Sequence, residues 1–313
     1  MKKFICKVAL LAMAFAVLNT VLLLVRPKDK NAYLCEYNKK VRLLETTPQP
    51  RMIFIGGSNI AFGIDSKKIG DALNYNVVNF GLHAGIGIRY PVEDVLQYIQ
   101  KGDVVVLQFE YENFFNGGNG EPEAFLSLMI STNWRNIDKL NMGQWKNVIS
   151  QVPSTSFHTI ERFFQKTSHG SWDTPVKSAT FVYLASGFNK YGDEVSHFDY
   201  PNKKYKPAGK KKQEDVKAGF IDWLDNEIRR YEQAGAKVVM LPPVCIKSHF
   251  LQVYDERINE ALTEILHPYI VPPSSMVLDD SYMFDTEYHM NREGCNLNTQ
   301  NIIRSLYYQI SAL

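Results

Sequence analysis

The sequence predicts an α/β fold, a three-layer flavodoxin-like parallel sheet carrying a mostly helical insertion. Three observations predict it. Short apolar runs rich in β-branched residues recur at Met52-Ile53-Phe54-Ile55, at Asn76-Val77-Val78-Asn79-Phe80 and at Asp103-Val104-Val105-Val106-Leu107-Gln108-Phe109. Amphipathic stretches separate them, and the same alternation returns after residue 213. Runs apolar along their whole length suit strands covered by helices on both faces.

The chain opens on residues 8–25, VALLAMAFAVLNTVLLLV, which carry no charge. These 18 residues, at a rise of ~1.5 Å each, are close to the ~30 Å hydrocarbon core of a bilayer. The run ends in Leu-Leu-Leu-Val-Arg with no small-residue cleavage site, so residues 1–25 read as an uncleaved signal anchor rather than a cleaved signal peptide. Lys2, Lys3 and Lys7 precede it, while Arg26, Lys28 and Lys30 follow with Asp29 among them. The expected location is membrane-anchored with the folded part outside the cytoplasm. Because the flanking charges nearly balance, the opposite orientation stays open. Residues 26–50 read as a charged stalk ending in Thr47-Pro48-Gln49-Pro50, and residues 51–313 as the folded domain.

Within that domain, helices are expected at 65–73 and 89–100, the latter placing Val92, Val95, Leu96 and Ile99 on one face. A helix at 214–234 precedes the strand Lys237-Val238-Val239-Met240-Leu241, which Pro242-Pro243 stops. A helix at about 254–266, a short strand Met276-Val277-Leu278 and a closing helix at 298–310 complete the pattern. Five such units give a default strand order of 2-1-3-4-5. Residues from about 114 to 213 break the rhythm and read as a helical insertion over the carboxyl ends of the strands, where open α/β sheets bind ligands. The insertion holds a basic run, Lys203 to Lys212, read as a solvated loop or a contact for anionic lipid or glycan.

Composition excludes some classes. Net charge is only +2, and there is no basic helix, zinc spacing or RNA-binding aromatic signature, so a nucleic-acid partner is not expected. Cys6, Cys35, Cys245 and Cys295 form no CxxC and no regular spacing, which argues against a zinc knuckle or a disulfide scaffold.

Three loops at one sheet edge carry polar residues suited to chemistry. Gly56-Gly57-Ser58-Asn59 follows the first strand, where a serine on a tight turn exposes its hydroxyl beside a backbone N–H. The same turn also suits plain strand-to-helix geometry or a phosphate. Asn79-Phe80-Gly81-Leu82-His83-Ala84-Gly85 follows the second strand, and its glycines allow close backbone approach. Asp285-Thr286-Glu287-Tyr288-His289-Met290-Asn291 precedes the last helix, and a carboxylate four residues before a histidine can fix its tautomer. Asp285, His289, Glu293 and Cys295 also offer a mixed donor set for a metal, without a second cluster.

Taken together, these blocks resemble the SGNH (GDSL-like) serine esterase and acyltransferase group in its divergent cell-envelope form. Gly-Gly-Ser-Asn at 56–59 is similar to the first block, usually Gly-Asp-Ser; residues 79–85 to the second; and residues 285–291 to the last, in its D…YHLN version. The resemblance covers residues 50–112 and 214–313. It departs at Gly57, at the longer Asp-to-His interval, and after strand three, where Phe109-Glu110-Tyr111-Glu112-Asn113 replaces Gly-x-Asn-Asp. What it implies is a serine enzyme with Ser58 as nucleophile, His289 as base and Asp285 as orienter, Glu287 and Asp280 being rivals for the last role. Gly85 would donate to the oxyanion with Gly81 as the reserve, and Asn113 would add a side-chain donor. The expected reaction is acyl transfer on O-acyl groups, acetyl first, of a cell-envelope glycan, by hydrolysis or by transfer. It needs no metal or cofactor. The partners implied are an acylated carbohydrate substrate and the membrane. A non-catalytic glycan-binding or envelope-assembly protein on a degenerate scaffold is the alternative. A phosphate or nucleotide binder is disfavoured by the absence of G-x-x-x-x-G-K-[ST] and G-x-G-x-x-G.

Overall fold

A computed structural model describes residues 1–26, 29–169, 182–203 and 215–311. In chain order the elements are α1 (Lys2–Leu24), α2 (Glu36–Thr46), β1 (Arg51–Gly56), α3 (Ser58–Ala61), α4 (Ser66–Leu73), β2 (Asn76–Asn79), α5 (Arg89–Val95), β3 (Val104–Gln108), α6 (Glu112–Asn116), α7 (Pro122–Ser131), α8 (Met142–His169), α9 (Ala218–Gln233), β4 (Lys237–Met240), β5 (Cys245–Ile246), α10 (Lys247–Val253), α11 (Glu256–Glu264), β6 (Val277–Leu278) and α12 (Arg292–Ser311).

β1 to β4 form one all-parallel sheet in the order β2-β1-β3-β4. Strand residues alternate between two cores, as the twofold period of a strand requires. Ile53, Ile55, Val105 and Leu107 face one, with Tyr231 of α9 and Phe125 of α7; Met52, Phe54, Val104 and Val106 face the other, with Ile69 of α4 and Ile302 of α12. This is an α/β architecture with helices on both sheet faces. The inner strands are tied to the helical layer by a fully buried ion pair. Arg51 Nη2 meets Asp103 Oδ2 at 2.6 Å while Nη1 donates to the Leu44 carbonyl.

Two expectations are corrected. The fifth strand does not extend the sheet. Ile270 N–H makes one hydrogen bond to Met240 O, but Pro272 and Pro273 have no N–H to continue a ladder. Val277 and Leu278 instead pair with Cys245 and Ile246 in a separate two-stranded sheet. Residues 26–50 are not a stalk throughout. Tyr37, Val41 and Leu44, spaced four and three apart along α2, are buried in the larger core, so packing begins at Tyr33. The charges of Lys39, Lys40, Arg42 and Glu45 hide that stripe in the sequence. Lys40 is itself buried, its ammonium donating to the Asn79 and Gly192 carbonyls.

The described part of the insertion is mostly helical, in α6, α7 and α8. Of the basic run only Lys203 belongs to the described residues; Lys204 to Lys212 lie outside them. α1 is long and apolar enough to cross a membrane.

Candidate active site

Ser58 opens α3 directly after β1. Gly57 precedes it and lets Glu110 approach closely: a Cβ there would lie 2.7 Å from Glu110 Oε1, so the carboxylate would have to shift. The Ser58 hydroxyl, partly buried, donates to Glu110 Oε1 at 3.2 Å, and the Asn59 N–H donates to the same oxygen at 3.2 Å. Asn59 locks the turn from below, accepting from Gly57 N–H and donating to the Gln108 carbonyl.

His289 is buried near the C-terminal end of the chain, and its ring stacks on Phe62 with centroids 4.0 Å apart and planes 8° from parallel. Phe62 follows Ser58 by four residues, its N–H bonded to the Ser58 carbonyl, so both side chains leave the same face of one helical turn. Phe62 thus connects the imidazole to the helical turn that carries the serine. Its Nδ1 pairs with Asp285 Oδ1 at 2.8 Å, and the Tyr183 hydroxyl donates to Asp285 Oδ2 at 2.7 Å. Burial alone would push the Asp285 carboxyl up; the His289 hydrogen bond and charge, the Tyr183 hydroxyl and Lys203 together hold it below the usual carboxylate range. The carboxylate fixes the proton on Nδ1 and leaves Nε2 as the acceptor. The rivals for the orienting role are engaged elsewhere, since Asp280 accepts from Ser248 N–H and Glu287 faces His249.

The expected oxyanion donors are placed differently. The Gly85 N–H donates to His83 Nδ1 at 2.8 Å and is spent inside the protein, and Asn113 Nδ2 commits one of its two N–H groups to the Glu110 carbonyl at 3.1 Å. Gly81 is a packing glycine, where a Cβ would sit 2.6 Å from Ile60 Cβ. The loop still borders the serine, because Ala84 Cα lies 3.5 Å from where a Gly57 Cβ would be. With Nδ1 accepting, His83 carries its proton on Nε2. Burial first, and then the neighbouring His289, lower its pKa and keep it neutral.

Sequence reasoning missed Glu110, Tyr183 and Phe62. Glu110 was legible in principle. Gly56 pairs with Gln108 at the ends of β1 and β3, so the two chains leave the sheet side by side and Ser58 and Glu110, each two residues on, emerge at the same rim. Tyr183 comes from the insertion, for which no pattern fixed a position. Beside Glu110 gather Glu112, His249 and Glu287, whose donor atoms lie within 4.8 Å of one another. His249 Nε2 is 3.1 Å from Glu112 Oε1, and the Tyr288 hydroxyl donates to Glu112 Oε2 at 2.8 Å. A cation would find its donors here rather than among Asp285, His289, Glu293 and Cys295, of which Glu293 is exposed and Cys295 is buried on α12.

Burial, with the neighbouring Glu112 carboxylate, pushes Glu110 up to about 8 from an ordinary 4.5, against the hydrogen bonds from Asn59 and Ser58. The folded state therefore holds a proton that the unfolded chain releases. That contribution to stability is complete below about 4.5 and disappears as pH rises through about 8. Melting temperature is expected to fall between pH 5 and pH 9 more steeply for the native chain than for Glu110→Gln. Parallel melting curves from the two proteins across that range would show that Glu110 is ionised in the fold. No family model matches the chain, and no curated protein is significantly similar to it.

Proposed function

We propose that the chain is an SGNH-type serine esterase or O-acetyltransferase acting on O-acyl groups of a cell-envelope glycan, through an acyl-serine intermediate. The observation that carries this reading is the Asp285–His289 pair stacked on Phe62, one helical turn beyond Ser58. In the resting enzyme Ser58 rests on Glu110. On substrate binding its hydroxyl turns to His289 Nε2, which takes the proton as Oγ attacks the ester carbonyl. The tetrahedral intermediate collapses, the C–O bond of the ester breaks, and the leaving sugar oxygen receives that proton from His289. Water or an acceptor hydroxyl then attacks the acyl-serine with the same base, giving hydrolysis or transfer. Such contacts are commonly loose before substrate binds and tighten in the complex.

The oxyanion donors in this reading are the Ser58 N–H, in the first turn of α3 where no intrahelical acceptor exists, and the Nε2–H of neutral His83. His83→Ala is expected to lower kcat by about 10²–10³ with little change in KM, the signature of a donor used only in the transition state. An unchanged kcat would remove His83 from the mechanism. The membrane-competent α1 supports a substrate in the cell envelope, and an extracytoplasmic domain is part of the proposal.

The engaged Gly85 and Asn113 donors, and a serine bonded to Glu110, favour one second reading, a glycan-binding protein on the same scaffold. A fluorophosphonate probe separates the two. Covalent labelling at Ser58 supports the enzyme; a folded, unlabelled protein supports the binder.

A further inference from the structure

α8 has three distinct faces. Ile149, Pro153, Phe157 and Ile160 are spaced four, four and three residues apart, which at ~100° per residue gathers them within an arc of about 80°. Ile149 is 65% and Phe157 59% exposed, Pro153 is exposed and Ile160 half-buried. A contiguous apolar stripe of this kind marks an interaction surface. Thr155, Ser156 and Thr159 form a second face, all buried; α8 packs on α1, where Asn19 and Leu23 are the buried residues. There the Ser156 hydroxyl donates to the Asn19 carbonyl at 3.5 Å. Small hydroxylated residues at a contact with an apolar helix are what close packing beside a membrane helix requires. His158 and Glu161 occupy the third face, exposed and paired at 2.9 Å.

We propose that α8 lies in the bilayer interface beside the exit end of α1, with Ile149, Pro153, Phe157 and Ile160 set into the acyl boundary. The inference rests on α1 being a membrane helix and is independent of the acyl-transfer chemistry. Two observations choose lipid as the occupant. Only 6% of the apolar window of α1 is buried in the protein, which leaves the rest of that helix open to lipid. Asn19 also lies five residues before the end of α1 at Leu24, within about 8 Å of where the helix leaves the hydrocarbon. A helix with one apolar face, one charged face and a seat at that depth has the character of an interfacial helix, and its charges bar it from spanning. Lys146, exposed one turn ahead of Ile149, is placed for a phosphate headgroup.

The consequence reaches the candidate site. α7 packs on both α8 and the Ala84–Ile86 turn next to Gly57, and the Asn147 amide of α8 donates to the Asn119 and Gly120 carbonyls at 3.1 and 2.9 Å. Tyr33, nine residues beyond the end of α1, donates to the Leu82 carbonyl at 2.7 Å. Anchor and interfacial helix together hold the catalytic rim at a fixed attitude to the membrane.

The test uses the full chain in lipid nanodiscs, with Cys6 and Cys35 replaced by serine and single nitroxides introduced at Ile149→Cys, Phe157→Cys, His158→Cys, Glu161→Cys and Leu10→Cys. Collision of each label with oxygen and with a water-soluble nickel chelate is measured. Oxygen should dominate at 149, 157 and 10, and the chelate at 158 and 161. Chelate access at 149 and 157 equal to that at 158 would overturn the proposal. So would labels at 149 and 157 that neither reagent reaches, since a second copy or another protein then covers the stripe. Chelate access at position 10 would overturn it through its premise about α1. None of these readings depends on catalytic activity, so a fluorophosphonate result on the same samples judges the enzymatic proposal separately.

Discussion

Ser58→Ala is expected to cut turnover of an activated acetyl ester by about 10⁴–10⁶ and to abolish fluorophosphonate labelling, while leaving the melting temperature close to that of the native chain. The loss is large because in the proposed mechanism the hydroxyl forms the bond to the acyl group, and among the described residues the cysteines are poorly suited to replace it. Cys245 and Cys295 are buried, and burial pushes both thiols well above their ordinary range. Stability should hold because Ser58 contributes one hydrogen bond, to a Glu110 carboxyl that burial pushes up to about 8, and a bond to a neutral carboxyl is worth only ~1 kcal/mol. Hydrolysis by the variant at the native rate would end the catalytic proposal, and so would labelling at another residue.

A complementary result separates hydrolysis from transfer. Both share the acyl-serine, so they diverge only in what attacks it. Product analysis with a glycan acceptor present should show acetyl on the acceptor if the site works as a transferase, and free acetate alone if it works as an esterase.

Much of the architecture was legible because it depends on local pattern. The three early strands, their β-branched content and the intervening helices set the order β2-β1-β3-β4 through parallel pairing. What failed depends on single backbone groups or on a masked stripe. Pro272 and Pro273 end a ladder that hydropathy alone would continue, and the apolar positions of α2 sit among lysines and glutamates. At the site, the positions most legible in the sequence are those set by the chain's own secondary structure. Ser58 lies at a strand end and Asp285 and His289 are four residues apart, so local geometry brings each into place. Gly85 and Asn113 follow from the resemblance, but a donor's value depends on where its hydrogen points. Both point inward, to His83 Nδ1 and the Glu110 carbonyl, which a sequence does not encode in any local pattern. Tyr183 and Phe62 touch His289 across long sequence separations and only the fold reveals them.

Asp285→Asn should lower kcat by about 10⁴. In the native chain Oδ1 accepts from His289 Nδ1 at 2.8 Å and Oδ2 accepts from the Tyr183 hydroxyl at 2.7 Å, with Lys203 Nζ at 3.4 Å from Oδ2. The carboxylate has no proton of its own and can satisfy two donors at once. An amide has one acceptor and one donor end. If its NH₂ faces the imidazole, His289 must present a bare Nδ1 and carry its proton on Nε2, the nitrogen that has to accept from Ser58. If its oxygen faces the imidazole, the NH₂ meets the Tyr183 hydroxyl, which can still turn to accept, but the negative charge that stabilises the imidazolium is gone. Either arrangement costs rate while the stack on Phe62 keeps the ring in position. Tyr183→Phe makes the contrast. It removes one donor from a charged acceptor, on the order of 1.5–3 kcal/mol, and is expected to cost roughly 10–100-fold with the tautomer intact. Measured side by side, a much larger loss for Asp285→Asn than for Tyr183→Phe supports the orienting carboxylate. Equal and small losses would mean that His289 does not serve as the base.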